Sequence, residues 1–123
     1  MVSTYEKFMR LLRLEIESLH DEIEIILRSL DHRLANHEIT DYVHNENGAI
    51  LRNELLGLED FLRTEFDTSE RADATLDDVV DEIRAYLRRR LIERDYVPAL
   101  YELMNRRIEK IVAYLSQTVP SGR

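Results

Sequence analysis

From Tyr5 onward an apolar residue returns every third or fourth position, at Tyr5, Phe8, Leu12, Ile16, Leu19, Ile23, Ile26 and Leu30. No other feature of the chain constrains its fold as much, because this period is that of an α-helix with one apolar face. Ser3 and Glu6 stand in front of the stripe at capping-box spacing. The spacing predicts a helix of about 28 residues, roughly 40 Å long at 1.5 Å per residue. Glu17, Asp21, Glu24 and Arg28 hold the opposite line, so one face is solvated and the other must be covered along most of its length.

The next segment, from about Ile39 to Phe66, supplies the first cover. Its later half carries Leu51, Leu55, Leu58, Leu62 and Phe66. Its earlier half uses Ile39, Val43 and Ile50, which lie about 100° away around the same helix. Asn47-Gly48 sits at the change-over and takes left-handed backbone angles easily, so a kink, a break or an unusually broad buried face is expected there. We favour a continuous but kinked helix, with His44 partly buried and hydrogen-bonded and Gly48 admitting a close neighbouring helix. Polar "DTSERADA", residues 67–74, reads as a loop. Thr75 and Asp78 then cap a helix striped by Leu76, Val79, Val80, Ile83, Leu87 and Leu91. Pro98 suits a first helical turn, and Leu100, Met104, Ile108, Ile111 and Leu115 stripe the helix that follows. The tail "TVPSGR" has no apolar face to pack.

The expectation is an all-α chain, a four-helix bundle made of two long helices as a hairpin followed by two shorter helices. Residues 1–117 form its single domain and residues 118–123 a frayed tail. If the hairpin outreaches the shorter pair, part of its stripe stays uncovered, and this favours a homodimer seamed by Leu19, Ile23, Ile26 and Leu30.

Charge and composition narrow the function. The 123 residues carry a net charge of −8, distributed unevenly. Residues 1–66 hold 14 acidic and 7 basic groups, residues 67–81 hold 6 and 1, and residues 82–123 hold 5 and 9. An acidic whole argues against non-specific nucleic-acid binding. Without cysteine there is no disulfide framework and no thiolate metal site. No run approaches the roughly 18 apolar residues that span a bilayer, and "MVSTYEKFMR" lacks the apolar core of a signal peptide. A cytoplasmic protein with no membrane partner is expected.

Candidate chemistry concentrates in "ANHEITDYVHNENGAIL". His37, Asp41 and His44 stand at i, i+4 and i+7. On a continuous helix they would project from one side and offer two imidazoles and a carboxylate to a divalent metal, the one cofactor the sequence accommodates. Glu17 and His20 add the E-x-x-H spacing of di-iron bundles, but that pattern needs the motif twice and the chain has it once. The competing reading of these residues is capping, hydrogen bonding across the hairpin, or plain exposure.

"DEIE" and "EITD" place Asp21, Glu24, Glu38 and Asp41 in an order that resembles the magnesium motif of the all-α nucleotide pyrophosphatases, over about 21 residues, with Asp21 where that family has Glu. The resemblance implies a metal-dependent enzyme, although Asp21 and Glu24 belong to the solvated face of the first helix. "LRNELLGLEDF" resembles the Arg-Asn stretch of the HEPN ribonucleases. That family's active-site His would fall near Gly57, so this likeness implies a helical bundle and not a nuclease.

Arg84, Arg88, Arg89, Arg90 and Arg94, with Arg106, Arg107 and Lys110 on the next helix, form the remaining feature. Arg84, Arg88, Arg89, Arg94, Arg106 and Arg107 are the candidate contacts for an acidic protein partner. The alternative is that this basic half pairs with the acidic N-terminal half, where individual ion pairs add orientation more than stability. Together these features favour an interaction or regulatory module, with a metal-dependent enzyme or metal-binding bundle as the alternative.

Overall fold

The computed structural model describes residues 3–64 and 74–118, which form α1 (Thr4–Ala35), α2 (Asp41–Arg63), α3 (Leu76–Arg94) and α4 (Pro98–Thr118). Three of the four starts are capped by a hydroxyl. Ser3 Oγ accepts from the Glu6 N–H at 3.1 Å, Thr40 Oγ1 from Val43 at 3.2 Å and Thr75 Oγ1 from Asp78 at 3.2 Å, while α4 opens on Pro98. The loop expected at 67–74 and the tail expected at 118–123 lie outside the described residues, apart from Ala74 and Thr118.

The four helices contain 32, 23, 19 and 21 residues. Only α1 stands apart in length. It packs against each of the other three, most extensively against α2. The two form an antiparallel hairpin, tied where Arg13 Nη2 donates to the Leu62 carbonyl (2.8 Å), His20 meets Glu59 (3.0 Å) and His44 meets Asp31 (2.7 Å). Seven of the eight stripe residues of α1 are buried, and so are all five expected for α4. Burying each such side chain stabilises the fold by about 1.5–3 kcal/mol. Leu19, Ile23 and Leu30 are covered within the single chain, so only Ile26, 48% exposed, remains of the expected dimer seam.

Of three expectations about α2, two need correction. The chain does not reach α2 until Asp41, because α1 ends in a turn where His37 takes a positive φ of 59°. There the Glu38 N–H bonds the Arg33 carbonyl at 2.8 Å and the His37 N–H bonds the Leu34 carbonyl at 3.0 Å, the paired closure of a Schellman cap. His37 therefore serves the turn. Second, as favoured, α2 is continuous through Asn47-Gly48, and Val43 and Ile50 are left exposed on it. Third, the close helix approach falls at Gly57. A Cβ at Gly48 would meet only the Arg52 guanidinium, at 3.0 Å, whereas one at Gly57 would lie 2.2 Å from Leu100 Cδ2 of α4.

Around Gly57 the α3–α4 corner is seated on one side of α2. Asp95 turns the chain with φ of 54°. Tyr96 Oη then donates to Asp60 Oδ2 (3.3 Å), and the Val97 N–H donates to Asn53 Oδ1 (2.8 Å). Arg90 Nη2 reaches Asp60 Oδ1 from the end of α3 (3.1 Å). Asn53, Gly57 and Asp60 stand at i, i+4 and i+7, so a single stripe of α2 receives the whole corner. Gly57→Ala should lower unfolding free energy by about 1–3 kcal/mol through overpacking. Gly48→Ala should instead be neutral or stabilise by up to about 1 kcal/mol through helix propensity. Urea denaturation of both variants reads the contrast.

Candidate functional site

Between α1 and α4, with α2 as its floor, opens a groove of about 730 Å³. Leu19, Ile23 and Ile26 wall it from α1, Leu103 from α4, and Leu51 with Glu54 lies beneath. Ion pairs close the far end: Arg107 bonds Glu15 at 3.1 Å and also Glu22, and Lys110 bonds Glu15 at 3.2 Å. Burial works against the charge on Glu15, but hydrogen bonds from Arg107 and Lys110 outweigh it and hold this carboxyl below the usual range.

Glu54 has the opposite surroundings. It is the one charged residue of the described chain in the buried class, 5% exposed, and no described residue hydrogen-bonds or ion-pairs with it. Burial alone pushes its carboxyl above the ordinary value. The groove continues into apolar surface. Ile25 is 58% exposed and lines it with Ile26, while Val43 and Ile50 lie within about 40° of Glu54 around α2.

The residues singled out from sequence are dispersed. His37 lies in the α1–α2 turn and Asp41 is exposed at the start of α2. His44 points to α1, with Nε2 2.7 Å from Asp31 Oδ1 and Nδ1 3.3 Å from Asn45 Oδ1. It is partly buried and hydrogen-bonded, as expected, and Asp31 raises its pKa. Among the described residues, His37, Asp41 and His44 do not converge as metal ligands, because the turn takes His37 off the helix on which their common side depends. Asp21, Glu24, Glu38 and Asp41 do not converge either. Glu38 faces Arg33, at 3.9 Å.

A different trio does come together. His20, Asp21 and Glu24 offer ligand atoms within 4.8 Å of one another. The imidazole already contacts Glu24 through Nδ1 (3.2 Å) and Glu59 through Nε2 (3.0 Å), so a metal would have to displace one of them.

The arginines divide. Arg84 donates to Asn105 (2.8 Å), Arg88 lies 5.4 Å over the Tyr101 ring, and Arg90 and Arg107 pair with the acidic half. Arg89, Arg94 and Arg106 are exposed, with Arg106 on the groove rim. Comparison with protein-family models, curated proteins and solved structures gives no significant match.

Glu54 lay outside the sequence reading, yet it had a signal: within about 40° of it around α2 come Ile50, Leu58 and Phe61. A carboxyl with a raised folded-state pKa stabilises the fold below its unfolded value, and that contribution is lost as pH rises through the folded one. Glu54→Leu should therefore raise unfolding free energy at pH 7 by about 1 kcal/mol, or about 4 °C in Tm. The gain should shrink as pH falls towards the ordinary glutamate value of 4.5. Thermal melts across that range measure it.

Proposed function

We propose that the chain is a cytoplasmic helical-bundle interaction module that forms a homodimer through the projecting side of the α1–α2 hairpin and binds another protein in that state. The reading is carried by one observation. Ile25 and Ile26, which line the groove, and Val43 and Ile50, which share the Glu54 side of α2 at 100° per residue, are all exposed. A run of exposed apolar side chains on one side of a small domain marks an association surface. Among the described residues, none of the helices is long and apolar enough to cross a membrane. The exposed Arg89 and Arg94 remain available to an acidic partner, whereas Arg84 and Arg107 are engaged within the fold.

A metal-binding bundle is the second reading, and the clustering of His20, Asp21 and Glu24 favours it. Light scattering and thermal melts, run with and without manganese and zinc, separate the two. Self-association predicts a dimer mass at micromolar concentration in either condition, a monomer mass for Ile26→Lys/Ile50→Lys at unchanged helicity, and a Tm indifferent to metal. A monomer mass at high micromolar concentration defeats the dimer. A metal-dependent rise in Tm that His20→Ala abolishes would establish the second reading by mass action.

A further inference from the structure

The groove has a charge requirement that self-association leaves untouched, and it points to a ligand. We propose that the groove between α1, α2 and the first half of α4 binds an amphipathic organic cation, an apolar chain or ring bearing a protonated amine, with the amine seated on the Glu54 carboxylate. The inference rests on Glu54 and the groove walls and does not depend on the dimer.

Glu54 is 5% exposed and has no partner among the described residues. The apolar lining of its groove, Leu19, Ile23, Ile26, Leu51 and Leu103, supplies no hydrogen-bond donor, and neither Arg106 nor Arg107 of the same lining bonds Glu54. A purely apolar occupant would strip the remaining water from the carboxylate and orphan it, at a cost comparable to a lost charged hydrogen bond. An anion would add repulsion in surroundings where charges interact strongly. A divalent metal is a poor fit as well, because hard cations take about six oxygens and this floor offers a single carboxyl. An ammonium group attached to an apolar body satisfies the carboxylate and covers the walls together. The groove's volume, about 730 Å³, suits such a molecule, since small-molecule sites run from about 300 to 1,000 Å³.

Rim charges do not reverse the sign. Glu22, Glu102, Arg106 and Arg107 stand there, but Arg107 is already bonded to Glu15 and Glu22. Arg106 is exposed, where water and salt screen its field. The buried group decides.

Calorimetric titration of the full chain at pH 7 with octylammonium, 1-octanol and octanoate tests the assignment. Octylammonium should bind one to one, about tenfold more tightly than 1-octanol, with octanoate weakest. Glu54→Gln should reduce octylammonium affinity about tenfold, to the level of 1-octanol, while 1-octanol binding stays within about twofold. Glu17→Gln, on the solvated face of α1 away from the groove, should leave both unchanged. The proposal is overturned if octylammonium does not bind, if it binds no better than 1-octanol, if Glu54→Gln leaves its affinity unchanged, or if Glu17→Gln produces the loss instead.

Discussion

The arrangement of the chain depends on where α4 is allowed to begin. Asn53, Gly57 and Asp60 present one stripe of α2 to the α3–α4 corner, and each takes a different part of it: the Val97 N–H, the Leu100 side chain and the Tyr96 hydroxyl. Arg90 anchors the end of α3 to the same Asp60. The three kinds of contact constrain different things. Gly57 sets how closely α4 can approach, the Asn53 bond sets the height of its first turn, and Asp60 joins both sides of the corner. Because α4 starts at Pro98, its first turns share the groove with Leu19 to Ile26 of α1, and its ion pairs hold α1 at Glu15 and Glu22.

Helix α1 continues past Glu22 to Ala35 with Ile25 and Ile26 exposed, and α2 runs back along it with Ile50 and Val43 exposed. The acidic and basic halves meet at two places, at the corner where Arg90 bonds Asp60 and along α1, where Arg107 and Lys110 bond Glu15 and Arg107 also bonds Glu22. The pairs along α1 orient α4 on it. Glu54 lines the same groove as Arg107 without bonding it, so the chain holds one carboxylate paired with cations and another with no partner among the described residues. The same residue type is pushed in opposite directions by its surroundings: Glu15 downward, Glu54 upward.

Much of this was legible in the sequence because α1, α3 and α4 each carry a single stripe that a single core can satisfy. Their caps at Ser3 and Thr75 and the start at Pro98 were equally plain, since each depends on local chemistry. Helix α2 was not, for a physical reason. It carries two apolar stripes, and which of them is covered depends on the height at which α4 starts, a tertiary fact with no local signature. A turn between α1 and α2 was implied, but its form was not legible because it uses His37 in a left-handed conformation, where a glycine would have announced it. Asn47-Gly48 drew attention as a breaker, yet a helix backed by α1 on one side tolerates both residues. Gly57, in a leucine-rich helix, was the better clue to close packing. Likewise the histidines suggested a metal, while the residue with the most unusual surroundings was a glutamate of a common kind in a common helix.

The central claim is that the position of α4 leaves Glu54 buried in an open apolar groove without a partner. Carbon-detected NMR titration of the Glu54 side-chain carboxyl tests this directly, in the full chain at low protein concentration. The account predicts a midpoint above the ordinary glutamate value of 4.5, together with cross-peaks from Glu54 to Leu51 and Ile23. A midpoint at or below 4.5 would contradict it, because the carboxylate would then have either a cationic partner or full access to water.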